Sequence, residues 1–129
     1  MNYSALPFSV RENIVTAQRL AWKRLATAGT WWDGATRVAI ASEARQTQHC
    51  KFCAARRKAL SPQAIHGQHD STGLLSEALT EVIHRIVTDQ SRLTKAFYRT
   101  ALESGISDGE YVETIGVIAT VIAIDGFTR

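Results

Sequence analysis

Residues 48–60 read Gln-His-Cys-Lys-Phe-Cys-Ala-Ala-Arg-Arg-Lys-Ala-Leu and contain both cysteines of the chain, Cys50 and Cys53, beside His49 and a run of cations. Three chemistries fit this pattern. In the first, the pair is redox-active. At the start of a helix, unpaired amides and the helix dipole favour a thiolate, which is the reactive form. Lys51, Arg56, Arg57 and Lys58 are close in sequence, and Arg57 follows Cys53 by four residues, on the same face if the segment is helical. An activated thiol with a second thiol beside it is the minimum set for thiol–disulfide exchange. In the second, the pair is half of a metal site: Cys50-x2-Cys53-x12-His66-x2-His69 approaches the spacing of a Cys2His2 zinc site, with the last gap one residue short. A zinc finger carries its cysteines on a tight hairpin, however, whereas Ala54 to Leu60 reads as helix. In the third, the two cysteines are small apolar core residues, a common fate of free cysteine.

The elements that position the pair are helical throughout. Ser9-Val-Arg-Glu12 has the form of a capping box and opens an apolar series at Ile14, Ala17, Ala21 and Leu25, for which Gly29 supplies a left-handed stop. Thr30-Trp-Trp-Asp33 reads as a second start, continued by Val38, Ala41, Ala44 and Ala55, with the polar patch Gln46 to His49 as a point of interruption before Cys50. Ser61-Pro62 reads as a restart, since proline suits the first helical position, and Gly67 to Gly73 as a polar loop. Leu79, Val82, Ile83 and Ile86 form one amphipathic stripe ending near Asp89. Leu93, Phe97, Ala101 and Leu102 form another, stopped by Gly105. Ser107-Asp-Gly-Glu110 is a second capping box before Tyr111 to Asp125, nearly all apolar and expected to be buried on most sides. With no strand-period segment of useful length, the fold class is all-α.

Size and composition set the frame. The 129 residues suit one domain spanning 1–129, able to bury roughly two-thirds of its unfolded surface without a metal or disulfide staple. The net charge of +3 is mild, with acids and bases interspersed. The N-terminus lacks the layout of a signal peptide, and the apolar run Ile115 to Ile124 is about half what a bilayer needs. The expected setting is a reducing cytoplasm without membrane contact, where a close cysteine pair is catalytic or metal-binding more often than structural. The chain stops at Phe127-Thr-Arg129 without a helix stop signal, the expectation for a truncated form of a longer protein.

Other features have ordinary readings. Trp31-Trp32 packs a helix start against its neighbour. The basic run lacks aromatic interleaving or a recognition-helix motif, so no nucleic-acid partner is expected. No glycine-rich phosphate loop or serine-nucleophile elbow occurs. Gly116, Ala119 and Ala123 would allow close helix packing, including between subunits.

Two stretches resemble the alkylhydroperoxidase D-like and carboxymuconolactone decarboxylase superfamily. One runs from Arg37-Val-Ala-Ile-Ala through the Cys50–Cys53 pair. The other runs from Val82-Ile-His-Arg-Ile-Val through Gly105-Ile-Ser-Asp-Gly-Glu-Tyr-Val-Glu113 and Ile115-Gly-Val. The resemblance implies a helical bundle, homo-oligomers, and thiol-dependent peroxide reduction or disulfide exchange without an organic cofactor, on a peroxide or disulfide substrate and at the expense of a dithiol donor. It makes Cys53 the attacking thiol and Cys50 the resolving one; Arg57, by its own charge and spacing, would support the thiolate. The family's relay glutamate, twelve residues before the first cysteine, is Val38 here. Its histidine four residues after the second cysteine is Arg57, and a further histidine just before that cysteine is Phe52. Arginine holds a thiolate by charge but does not shuttle protons. A replacement proton carrier is sought first in Glu43 and in His69, which with Asp70 could fold back from its loop; His49 adjoins the pair. His84 reads as a hydrogen-bonded residue at the edge of the core. If no relay exists, the fold serves as a non-enzymatic binding or assembly protein.

Overall fold

The computed structural model describes residues 1–128, and the expectation resting on Arg129 lies outside them. Six α-helices make up the fold, and no strand occurs among the described residues: α1 Glu12–Leu25, α2 Gly34–Gln46, α3 Lys51–Lys58, α4 Glu77–Thr88, α5 Lys95–Glu103 and α6 Asp108–Thr128. The all-α reading holds.

Helix α4 is the centre. It packs against α2, α3, α5 and α6, while α1 closes over α2 and α6. Val82 to Ile86 are five consecutive buried residues, so α4 is covered on all sides through its middle. Ile40, Ile83 and Ile118, from α2, α4 and α6, are buried in one apolar cluster with Leu25, Leu79 and Val121. Each such side chain contributes about 1.5–3 kcal/mol by leaving water.

The start and stop signals fared unevenly. Asp33, Ser76 and Thr94 cap α2, α4 and α5, their side chains accepting from the amides of Thr36, Leu79 and Phe97. The Ser107–Glu110 capping box closes in both directions, at 2.8 and 3.2 Å. Gly105 ends the α5 segment at φ 100°. The box expected at Ser9–Glu12 does not form: α1 begins at Glu12 with Arg11 in the cap position and no side-chain cap. Glu12 therefore sits too early to reach back to an amide. Gly29 is not a helix stop either. The cap of α1 is Ala26, and a Cβ at Gly29 would collide with the Glu113 carboxylate. The restart at Ser61-Pro62 amounts to one 3-10 turn, Pro62–Ala64. The small-residue helix does not run on to Ala55. It stops at Gln46, and a 3-10 turn over Thr47–His49 redirects the chain so that Cys50 begins α3.

Helix α6 departs from the expectation of burial on most sides. Tyr111, Thr114, Val117, Ile118, Val121, Ile124 and Asp125 face the core. Val112, Ile115 and Ile122 are exposed on the other side, together with Gly116, Ala119 and Ala123. By length and composition alone α6 could cross a membrane, but a helix that helps form a protein core meets the same criterion. Trp32 packs as expected, its indole N–H donating to the Glu110 carbonyl and the Thr114 hydroxyl, both at 3.1 Å.

Candidate active site

Cys50 occupies the N-cap of α3, and its Sγ accepts from the Cys53 amide at 3.4 Å, taking up one of the donors a helix start leaves unpaired. Cys53 is in the first turn of the same helix. Both are 3% exposed, and both are free thiols. Burial alone suits the reading of inert core residues, but their neighbours do not.

The loop after α3 folds back over the pair. Asp70 accepts from the Lys51 amide at 2.8 Å, a carboxylate on the helix start, where the dipole favours it. Gly67 lies against the Phe52 ring, so close that a Cβ would come within 2.9 Å of it. His69 is thereby brought between the sulfurs, its Nδ1 3.5 Å from Cys50 Sγ and 3.4 Å from Cys53 Sγ. From the other side α4 delivers His84, whose Nδ1 is 3.1 Å from Cys53 Sγ. The two imidazoles lie 4.1 Å apart, centroid to centroid.

Each imidazole is backed by a carboxylate. His84 Nε2 meets Glu43 Oε1 at 2.7 Å, and both side chains are fully buried. The other oxygen of Glu43 accepts from the Thr72 amide at 3.0 Å and from its hydroxyl. His69 Nε2 meets Glu81 Oε2 at 2.6 Å, and Glu81 is gripped by both bonds of the Arg56 guanidinium, at 2.7 and 2.9 Å. Arg56 in turn lies over the Phe52 ring at 4.2 Å. The site is therefore two parallel chains, Thr72–Glu43–His84–Cys53 and Arg56–Glu81–His69 reaching both sulfurs.

The surroundings push the two histidines apart. Burial lowers His84 and outweighs the Glu43 hydrogen bond, with the charge of His69 acting the same way. Burial also acts to lower His69, but Cys53, Glu81 and Cys50 overcome it and raise that imidazole to about 10. Burial would raise Glu43, yet Thr72 and His84 hold it below the ordinary carboxylate range. Glu81 is held low likewise, by His69 and Arg56 against burial. For Cys50, burial is opposed by the Cys53 amide, His69 and the Asp70 amide, and the thiol ends below its ordinary value. Two like groups driven to opposite protonation states mark a division between acid and base. With Glu43 ionised, Oε1 accepts from His84 Nε2–H, leaving Nδ1 as the lone-pair atom facing Cys53. His69 as a cation donates from both nitrogens, to sulfur and to Glu81.

Of the residues singled out from sequence, Cys50, Cys53, His69 and Glu43 meet here. Glu43 does so through His84, because the turn at Thr47–His49 ends the helix that was to carry it to the pair. Arg57 is exposed. It shares the lining of a cavity of about 180 Å³ with Cys50, Cys53, Thr47 and Val87, and makes no hydrogen bond to either sulfur among the described residues. His66 is exposed and outside the cluster, and His49 is exposed as well. Val38, at the family's relay position, is exposed. His84 is hydrogen-bonded as expected but lies fully buried, not at the edge of the core, with its Nδ1 3.1 Å from Cys53 Sγ. Glu81 and Thr72 carried no sequence signal of their own, and Arg56, expected only as one of the cations near the pair, acts on Glu81. A larger hollow of about 370 Å³, lined by Phe52, Arg56, His69, Leu75 and Glu81, opens on the far side of His69.

No family model, curated protein or solved structure matches this chain.

Proposed function

We propose that the chain is a thiol oxidoreductase of the alkylhydroperoxidase D-like kind, reducing hydroperoxides or exchanging with disulfides through Cys53 and Cys50. The observation that carries this reading is the buried line Cys53 Sγ–His84 Nδ1–Glu43, at 3.1 and 2.7 Å. It places a carboxylate-oriented base on one thiol while the second thiol lies within 4.8 Å of the first. The proton carrier missing at Val38 and Arg57 is thus supplied by α2 and α4.

His84 Nδ1 takes the Cys53 proton, and the thiolate attacks the outer oxygen of the hydroperoxide. The O–O bond breaks, Cys53 becomes a sulfenic acid, and the departing alkoxide takes the proton from His84 to leave as alcohol. Cys50 then attacks the sulfenic sulfur, forming the disulfide and releasing water. A dithiol donor returns both cysteines to thiols and is itself oxidised to a disulfide. His69, cationic between the sulfurs, stabilises thiolate charge at either stage. The cavity at Arg57, which reaches both cysteines, is the entry for a small oxidant. The cell compartment that suits this chemistry is a reducing cytoplasm, and a second copy of the chain is the partner proposed for the exposed face of α6.

Mild peroxide on the reduced, chelator-treated protein should remove both thiols together. Cys50→Ser should leave Cys53 trapped as a sulfenic acid that reacts with a cyclic diketone probe, and Cys53→Ser should abolish the rapid phase. Thiols that survive peroxide as long as free cysteine does would refute the reading.

A further inference from the structure

The same cluster has a second property that thiol chemistry does not require. One ring nitrogen each of His69 and His84 and the Sγ atoms of Cys50 and Cys53 all lie within 4.8 Å of one another. A zinc-class ion with Zn–S near 2.3 Å and Zn–N near 2.0–2.1 Å, tetrahedrally bound, separates its ligand atoms by roughly 3.3–3.8 Å. Three of the four sulfur–nitrogen separations here are 3.1, 3.4 and 3.5 Å, and no pair of the four atoms is more than 4.8 Å apart. We infer that Cys50, Cys53, His69 and His84 form a binding site for one tetrahedral, sulfur-seeking divalent metal ion of the zinc class.

Three further features of the cluster fit such an ion. Each imidazole presents Nδ1 inward and has Nε2 on a carboxylate, Glu43 for His84 and Glu81 for His69. That carboxylate–histidine pairing fixes the tautomer and strengthens the ligand nitrogen. The carboxylates are themselves held, by Thr72 and by Arg56. The charges also suit: two thiolates neutralise a divalent ion, two carboxylates stand one bond further out, and one guanidinium lies beyond Glu81. The ligand set differs from the spacing-based one, because His66 points to solvent and His84 comes from a distant helix.

Metal binding displaces the protons on the two thiols and on His69 Nδ1. Because the ion takes the same sulfur lone pairs that attack an oxidant, metal occupancy and disulfide formation exclude one another. Only this last consequence rests on the thiol reading above; the site itself does not.

The test uses reduced, full-length protein freed of metal by chelation and titrated with cobalt(II), then zinc(II). The expected result is one cobalt per chain, with intense visible bands of tetrahedral cobalt and a sulfur-to-metal charge-transfer band, displaced by one equivalent of zinc. Glu81→Gln, on a partly exposed side chain, should keep the fold and weaken metal affinity about 10–100-fold. His69→Gln should remove the tetrahedral spectrum, and His66→Ala should leave it intact. Failure of cobalt to bind while both thiols are counted as reduced would overturn the inference. So would a weak octahedral spectrum, or binding that His66→Ala removes and His69→Gln does not. Peroxide sensitivity is measured on metal-free protein, so either proposal can fail while the other stands.

Discussion

At the scale of the residue, the site turns on two fully buried polar side chains, Glu43 and His84. An ionised carboxylate without partners would be driven to neutralise in such a position. Here Thr72 and His84 satisfy both of its oxygens. Glu43→Gln preserves shape and removes the charge. We expect peroxide-driven loss of the Cys53 thiol to slow by about 10²-fold at neutral pH, in the range of a lost acid–base contribution. The deficit should shrink as the pH rises and hydroxide takes over deprotonation, which a purely structural role for Glu43 would not give. Stopped-flow thiol oxidation across pH checks this, and a pH-independent deficit would count against the relay. These residues were only partly legible in the sequence. Cys50 and Cys53 declare themselves by rarity and spacing, and His69 by its place in a loop near them. Glu43 was named for its distance along one helix, yet that helix ends at Gln46 and the connection runs through α4. His84 was read only as a core-edge residue, because its neighbours Ile83 and Ile86 mark α4 as amphipathic, whereas α3 and the 67–73 loop bury the side a stripe would leave open.

At the scale of the element, α3 is the piece most in need of support. It is eight residues long, too short to persist in isolation. Its beginning is held by Cys50 and Asp70, and its end by Arg92. That guanidinium donates to the carbonyls of Ala59, Arg56 and Arg57 at 2.8, 3.0 and 3.4 Å while pairing with Asp89 at 2.6 Å. A cation on the last carbonyls satisfies acceptors the helix cannot and complements its dipole. Arg92→Ala should therefore cost about 1–2 kcal/mol, discounted from the usual value of charged hydrogen bonds because the side chain is partly solvated. Denaturant unfolding would show the midpoint falling with an unchanged slope, and the cysteines should become more accessible to a bulky thiol reagent. Unchanged stability and accessibility would show that α3 is held by packing alone. Of the helix boundaries set by a side-chain cap, those at Asp33 and Ser107 could be read directly, while the caps at Ser76 and Thr94 were not singled out. Those set by tertiary contact could not be read. Gly29 resembles a stop signal, but its lack of a side chain makes room for Glu113, a residue from α6.

At the scale of the whole molecule, α6 is divided. One face completes the core, and the other exposes Val112, Ile115, Ala119 and Ile122 with small residues between them. A second copy of the chain suits this face: it is uncharged, self-similar along the helix, and allows close backbone approach at Gly116 and Ala123. Ile115→Glu with Ile122→Glu should shift the protein to a monomer in sedimentation equilibrium without lowering metal uptake or thiol reactivity. A wild-type protein that is monomeric at high concentration would end this proposal.

Periodicity, punctuation and the scarcity of cysteine were enough to establish a helical chain with a cysteine pair at a helix start, because those depend on neighbours within a turn or two. Which histidines and carboxylates reach the pair was decided by tertiary packing. His84 is thirty-one residues from Cys53 and Glu43 forty-one from His84. Contacts over such distances follow from how α2, α3 and α4 stack and from where one loop folds back, and no local pattern in the chain records that stacking.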